Sequence, residues 1–258
     1  METLNFMILG AQKCGTTALS HFLRQHPAIA MADPKEAHLF DSEDYSSDWT
    51  LDDINARYAE FFDKGAEVDI RGEATPIYLY FQEIAAEVNR YNPALKVIVQ
   101  LRDPVERAVS HYYMEKGRGG ESLPFWSALL LEPFRLWLDR RPQVEGSARR
   151  VQSYRSRGLY SRQLKNIYRH FSREQVLVIK AEDLMNRHEK TLKRVFEFLG
   201  VDDDVKIPDE IIFSNNHGKT IGIDRKLLLP RLILKISYLL EYWRIKHYVD
   251  FSIKSWVL

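Results

Sequence analysis

Cysteine is almost missing from this sequence. Cys14 is the single one in 258 residues, which excludes an intrachain disulfide framework and suits a reducing compartment. A long uninterrupted apolar run is missing too. The richest candidate, Arg225 to Lys246, is broken by Pro230, Arg231, Lys235, Glu241 and Arg244, so it does not span a bilayer comfortably. No leader-like pattern opens the chain: Met1 to Leu9 carries an acid at Glu2, lacks a basic n-region and runs straight into a strand-like segment, so a cytoplasmic location is expected. Repeats, low-complexity tracts and a convincing linker are absent. One domain over 1–258 is therefore expected, with 225–258 as a C-terminal helical segment. Net charge is nearly absent as well, at +1, and no nucleic-acid partner is expected.

What is present is an uneven distribution of charge. Asp33 to Glu73 holds 13 acidic and 4 basic residues, a balance of −9, whereas Arg135 to Arg173 holds 11 basic and 2 acidic, a balance of +9. The basic stretch is interleaved with aromatics such as Trp137, Tyr154 and Tyr160. Its summed field suits phosphates, sulfates or an acidic glycan, and a solvated basic surface is the plainer reading. The segment 225–246 is basic and amphipathic; it either packs on the core as a helix or makes peripheral contact with an anionic membrane.

Periodicity gives the fold class. Asn5 to Gly10 is a short apolar run ending in glycine, and Leu19, Phe22 and Leu23 follow at helical spacing until Pro27. The same strand, loop and helix order recurs at Leu95 to Leu101, Asp103-Pro104 and the stretch to Lys116. Gln175 to Ile179 reads as a further strand. Leu192, Val195, Phe196 and Leu199 then form a helical stripe that Gly200 is placed to cap. Strands alternating with helices predict a three-layer α/β fold with a central parallel sheet, whose ligands gather at the carboxyl ends of the strands.

The first strand-to-helix connection reads Gly10-Ala11-Gln12-Lys13-Cys14-Gly15-Thr16-Thr17, where backbone N–H groups and the helix dipole make an anion site. It resembles a P-loop with its lysine displaced. A nucleoside-triphosphate loop puts Lys directly after the second glycine, whereas here Lys13 precedes Gly15, which argues against a kinase, as does the lack of a recognisable magnesium-binding segment. Further on, Arg102 closes the strand that ends at Leu101 and Ser110 lies two turns into the next helix. A guanidinium and a hydroxyl there suit one additional phosphate.

These two motifs resemble the 5′-phosphosulfate loop and the 3′-phosphate motif of sulfotransferases that use 3′-phosphoadenosine-5′-phosphosulfate (PAPS). The similarity is nearest to the branch of the heparan sulfate sulfotransferases and their bacterial relatives, and matching segments run from Asn5 to Gly200. The resemblance implies that Gln12, Lys13, Cys14, Gly15, Thr16, Thr17, Arg102, Ser110 and Tyr160 hold the nucleotide. Lys219, in Asn215-Asn216-His217-Gly218-Lys219-Thr220, would join them. Sulfuryl transfer needs a base and positive charge on the departing phosphate oxygen, and requires no metal in principle.

Lys13 supplies that charge, and the acidic segment Pro34-Lys35-Glu36-Ala37-His38 puts the family's glutamate at Glu36, with His38 as the alternative base or a positioning partner. Glu73 in Arg71-Gly72-Glu73-Ala74-Thr75 matches a second family segment, except that Ala74 stands where a lysine is common. Glu36, His38, Glu73 and Arg155 are the acceptor-side candidates, and the expected acceptor is a carbohydrate, glycolipid or small hydroxylated molecule. The alternative is a catalytically inactive nucleotide- or glycan-binding module of the same fold.

Overall fold

The apolar run Lys96-Val97-Ile98-Val99-Gln100-Leu101 is buried over all but its first residue, the pattern of a strand covered on both faces. In the computed structural model, which describes residues 3–63, 68–139, 144–210 and 225–257, it is the fourth of five strands. In chain order the elements are β1 (Phe6–Gly10), α1 (Thr16–Arg24), β2 (Ile29–Met31), α2 (Leu51–Tyr58), β3 (Ile70–Glu73), α3 (Ile84–Tyr91), β4 (Lys96–Leu101), α4 (Pro104–Gly117) and α5 (Phe125–Leu138). Then come α6 (Ala148–Val151), α7 (Tyr160–Ile167), β5 (Val176–Lys180), α8 (Ala181–Asn186), α9 (His188–Leu199), α10 (Arg225–Ser237), α11 (Leu239–Ile245) and α12 (Lys254–Val257).

All strand pairs are parallel, in the order β2-β3-β1-β4-β5, with Phe6 opposite Gly72 and Lys96, and Val97 opposite Val176. With the right-handed crossovers that parallel strands take as a rule, this order fixes the face each connection uses. The step from β1 to β2 runs one way across the sheet and carries α1 on one face; the steps to β3 and β4 run the other way and carry α2 and α3 on the opposite face. Ring contacts agree: Phe22 of α1 meets His188 of α9 at 4.5 Å, and Tyr58 of α2 meets Tyr91 of α3 at 5.8 Å. The three-layer α/β expectation therefore holds. Chain connections leave β1 on one face and its neighbours β3 and β4 on the other, so their carboxyl ends flank a crevice of the kind in which α/β folds bind ligands.

The chain divides into two units: residues 1–101 with 163–210 hold the sheet, and 102–162 with 211–258 hold most of the later helices. In the sheet unit α9 ends, as its stripe predicts, at Gly200 with φ 81. In the helical unit Asp103 caps α4 by accepting from the Val105 amide at 2.8 Å, with Pro104 at the first helical position. There the C-terminal helices brace the segment 155–161. Glu241 accepts from the amide and the hydroxyl of Ser161, both at 2.6 Å, Tyr238 donates to the Arg155 carbonyl at 2.8 Å, and the ring of Trp256 lies 6.4 Å from that of Tyr160. No described helix is long and apolar enough to cross a membrane.

Candidate active site

The loop after β1 is built from backbone bonds. The Ala11 amide donates to the Gln100 carbonyl of β4 at 2.8 Å, and the Cys14 amide donates to the Ala11 carbonyl at 3.1 Å, closing a tight turn. Gly15 caps α1 in the left-handed region, φ 88, and a Cβ there would come within 3.2 Å of Gln100 Nε2, so glycine suits both the dihedral and the space. With no side-chain cap and no acid in the first turn, the start of α1 presents open N–H groups and the positive end of the helix dipole. Lys13, also left-handed at φ 69, is half-buried within the loop. Cys14 is fully buried with its thiol 4.0 Å from the Gln12 carbonyl, so it holds the turn from inside. Thr16 is buried and Thr17 exposed, both in the first turn of α1.

The second part follows β2 and meets the end of β3. His38 has φ 52, and its Nδ1 lies 3.0 Å from both carboxylate oxygens of the fully buried Asp41. Its Nε2 lies 3.3 Å from Glu36, whose other oxygen accepts from Lys35 Nζ at 2.8 Å. Hydrogen bonds to Asp41 and then to Glu36 raise His38 to about 9, so it is an imidazolium at neutral pH. For Glu36, partial burial pushes upward, but the bonds and charges of His38 and Lys35 overcome it and hold the carboxyl at about 2. The side chains of Glu36 and His38 are 41% and 44% exposed, open to an incoming acceptor.

Beneath them, the fully buried Glu73 accepts from the Thr75 hydroxyl at 2.6 Å, and Thr75 accepts from the His38 amide at 3.4 Å. Burial pushes Glu73 up to about 8 despite that bond. Glu36, His38 and Glu73 are thus tied into one cluster together with Lys35, Asp41 and Thr75, three residues that sequence reasoning missed. The spacing His38-x-x-Asp41 and the position of Thr75 two residues after Glu73 were the available signals.

In the helical unit Arg102 follows directly on β4, half-buried, and Ser110 lies half-buried in α4. Tyr160 is buried, with its hydroxyl donating to the Arg102 carbonyl at 3.0 Å; its bond fixes the backbone that carries the arginine. Arg155 donates through its amide to Glu132 at 2.7 Å, and the buried Arg157 guanidinium holds the Arg149 and Arg150 carbonyls at 2.8 and 2.7 Å. Lys219 and its loop lie outside the described residues.

Comparison with known proteins gives these motifs a context. A family model described as a sulfotransferase domain matches residues 4–221. Heparan sulfate glucosamine 3-O-sulfotransferase 3A1 of Mus musculus is 31% identical over 195 residues, 76% of this chain and 45% of that protein. Heparan sulfate glucosamine 3-O-sulfotransferase 6 of Mus musculus is 32% identical over 195 residues, 76% of this chain and 52% of that protein. The chain spans about half the length of these relatives. A sulfotransferase from Alicyclobacillus acidocaldarius, known from its crystal structure, superposes with a TM-score of 0.77 at 28% identity over 99% of either chain.

Proposed function

The chain belongs to the sulfotransferase domain family, and from that premise we propose that it transfers a sulfuryl group from PAPS to a hydroxyl or amine of an acceptor. The names of the heparan sulfate relatives favour a carbohydrate acceptor, with a glycolipid or small hydroxylated metabolite as the other classes. The residues present fit a 5′-phosphosulfate: an uncapped helix start, a loop of small residues and one lysine inside that loop. PAPS supplies a sulfur that the acceptor oxygen attacks while the bond from sulfur to the 5′-phosphate oxygen breaks. Lys13 meets the charge that develops on the departing oxygen, and Thr16 and Thr17 with the loop amides hold the phosphate. Arg102 and Ser110 take the 3′-phosphate, while Gln12 and Gly15 shape the loop around the 5′-phosphosulfate.

Glu36 takes the acceptor proton. The observation that carries this role is the chain Lys35–Glu36–His38–Asp41, which keeps a half-exposed carboxylate ionised. His38, raised to about 9, is already protonated at neutral pH, which favours it as a positioning residue and Glu36 as the base. An acceptor hydroxyl that displaces Lys35 or His38 from Glu36 raises its basicity at the moment of reaction. Nothing in this scheme calls for a metal. A cytoplasmic location, motivated by the lone cysteine, is part of the same proposal. An inactive binding module gains no support from the relatives.

The test begins with binding. 3′-Phosphoadenosine-5′-phosphate should raise the melting temperature well beyond adenosine-5′-monophosphate, and Lys13→Ala and Arg102→Ala should each reduce that rise. Equal shifts with both nucleotides, or none with folded protein, would remove the basis of the reading. Acceptor-dependent consumption of PAPS, lost in Glu36→Gln, then tests turnover.

A further inference from the structure

The helical unit leaves an apolar face uncovered. α5 buries Phe125, Ala128, Leu129 and Glu132, an inward stripe at helical spacing. A second stripe, Trp126, Leu130, Phe134 and Trp137, stays 47% to 61% exposed. α10 packs beside α5, and α10 with α11 turns out Leu228, Leu232, Ile236, Leu240 and Trp243, each 51% to 66% exposed. Surface helices of a folded protein ordinarily show water a polar face. Here two neighbouring helices show it leucine and tryptophan, and a patch of this kind marks an interaction surface.

The charges around the patch are mainly of one sign, Glu106 of α4 pairing with Arg231 of α10. Between Arg225 and Tyr248 there are six basic residues and one acid, Glu241, which is buried on Ser161. Lys226, Arg244 and Lys246 are exposed along the same helices. The unit as a whole has 20 basic and 10 acidic residues, a balance of +10. A second copy docking by the same face would bring like-charged surfaces together, and the cores of protein interfaces are depleted of lysine. Tryptophan and leucine facing outward with lysine and arginine at the margin match instead a helix lying in the plane of a lipid headgroup layer.

We propose that α5, α10 and α11 form an in-plane docking surface for an anionic bilayer. The tryptophan and leucine side chains enter the boundary of the acyl chains while Lys226, Arg244 and Lys246 meet lipid phosphates. This does not depend on the sulfuryl-transfer reading, since lipid binding is measured without nucleotide or acceptor.

The full chain should float with vesicles of phosphatidylcholine containing about a third phosphatidylserine, and much less with phosphatidylcholine alone. Trp137→Ser with Trp243→Ser should weaken flotation by at least about tenfold. Lys226→Glu, Arg244→Glu and Lys246→Glu together should abolish the preference for anionic vesicles. An unchanged melting temperature identifies variants that still fold. Three results would each overturn the proposal: folded wild-type protein that stays with the soluble fraction, flotation unaffected by both variant sets, or a dimer in light scattering that the tryptophan variants dissolve while vesicles remain unbound.

Discussion

The unit that carries the sheet has 17 basic and 26 acidic side chains, a balance of −9, against +10 for the helical unit. The loop assigned to the phosphosulfate nevertheless lies in the acidic unit. Net charge is a poor guide to where an anion binds, because salt screens separated surface charges over a Debye length of about 8–10 Å. Backbone N–H groups, a helix start and one lysine act at contact distance and are screened far less. The acidic unit also holds the carboxylates that can receive a proton, while the basic unit holds Arg102 and the surface proposed to dock on anionic lipid. In this reading chemistry and long-range attraction are divided between the two.

Glu36→Gln is the hardest test of that division. It removes the proposed base from the acidic unit and should lower turnover by roughly 10²–10⁴-fold. The melting shift with 3′-phosphoadenosine-5′-phosphate should survive; an equal loss of binding would make Glu36 a structural residue. Arg102→Ala, in the basic unit, should do the reverse: nucleotide affinity falls by roughly 10–100-fold, with little change for adenosine-5′-monophosphate, which calorimetry can read.

Glu73→Gln examines the acidic unit through stability. The folded value of Glu73, about 8, lies above its ordinary 4.5, so the native state keeps a proton that the unfolded chain gives up, and stability drains away as pH rises from about 4.5 to 8. The variant should flatten that decline by roughly 4–5 kcal/mol at pH 8, read from urea denaturation at a series of pH values. A decline as steep as in the wild type would mean that Glu73 is ionised in the folded protein. The smallest effect should come from chelation: EDTA should leave turnover unchanged, and a loss that magnesium restores would reopen metal-assisted chemistry.

Much of this was readable beforehand, for specific reasons. β1, β4 and β5 are short apolar runs buried by the sheet, and the stripes of α1 and α9 end at legible stops, so periodicity found them. β2, with three residues, and β3, Ile-Arg-Gly-Glu, have no such pattern; they are strands because neighbours pair with them, a tertiary effect that propensity does not carry. In the site, Lys13 and Glu36 stood out through motif context. Asp41 did not, since 13 acids between Asp33 and Glu73 look alike until burial separates Asp41 and Glu73 from the rest. The bond from Tyr160 to Arg102 links residues 58 apart, and no local spacing announces it.

The bracing of segment 155–161 by the last helices bears on where this protein can be cut. The family match stops at residue 221, yet Glu241 and Tyr238 hold Ser161 and Arg155, and Trp256 packs beside the Tyr160 that fixes the backbone of Arg102. A version trimmed to the matched region would keep every residue assigned to the nucleotide and lose the scaffold behind one of them. The boundary drawn by shared ancestry and the boundary needed for self-sufficient folding are therefore different lines on this chain.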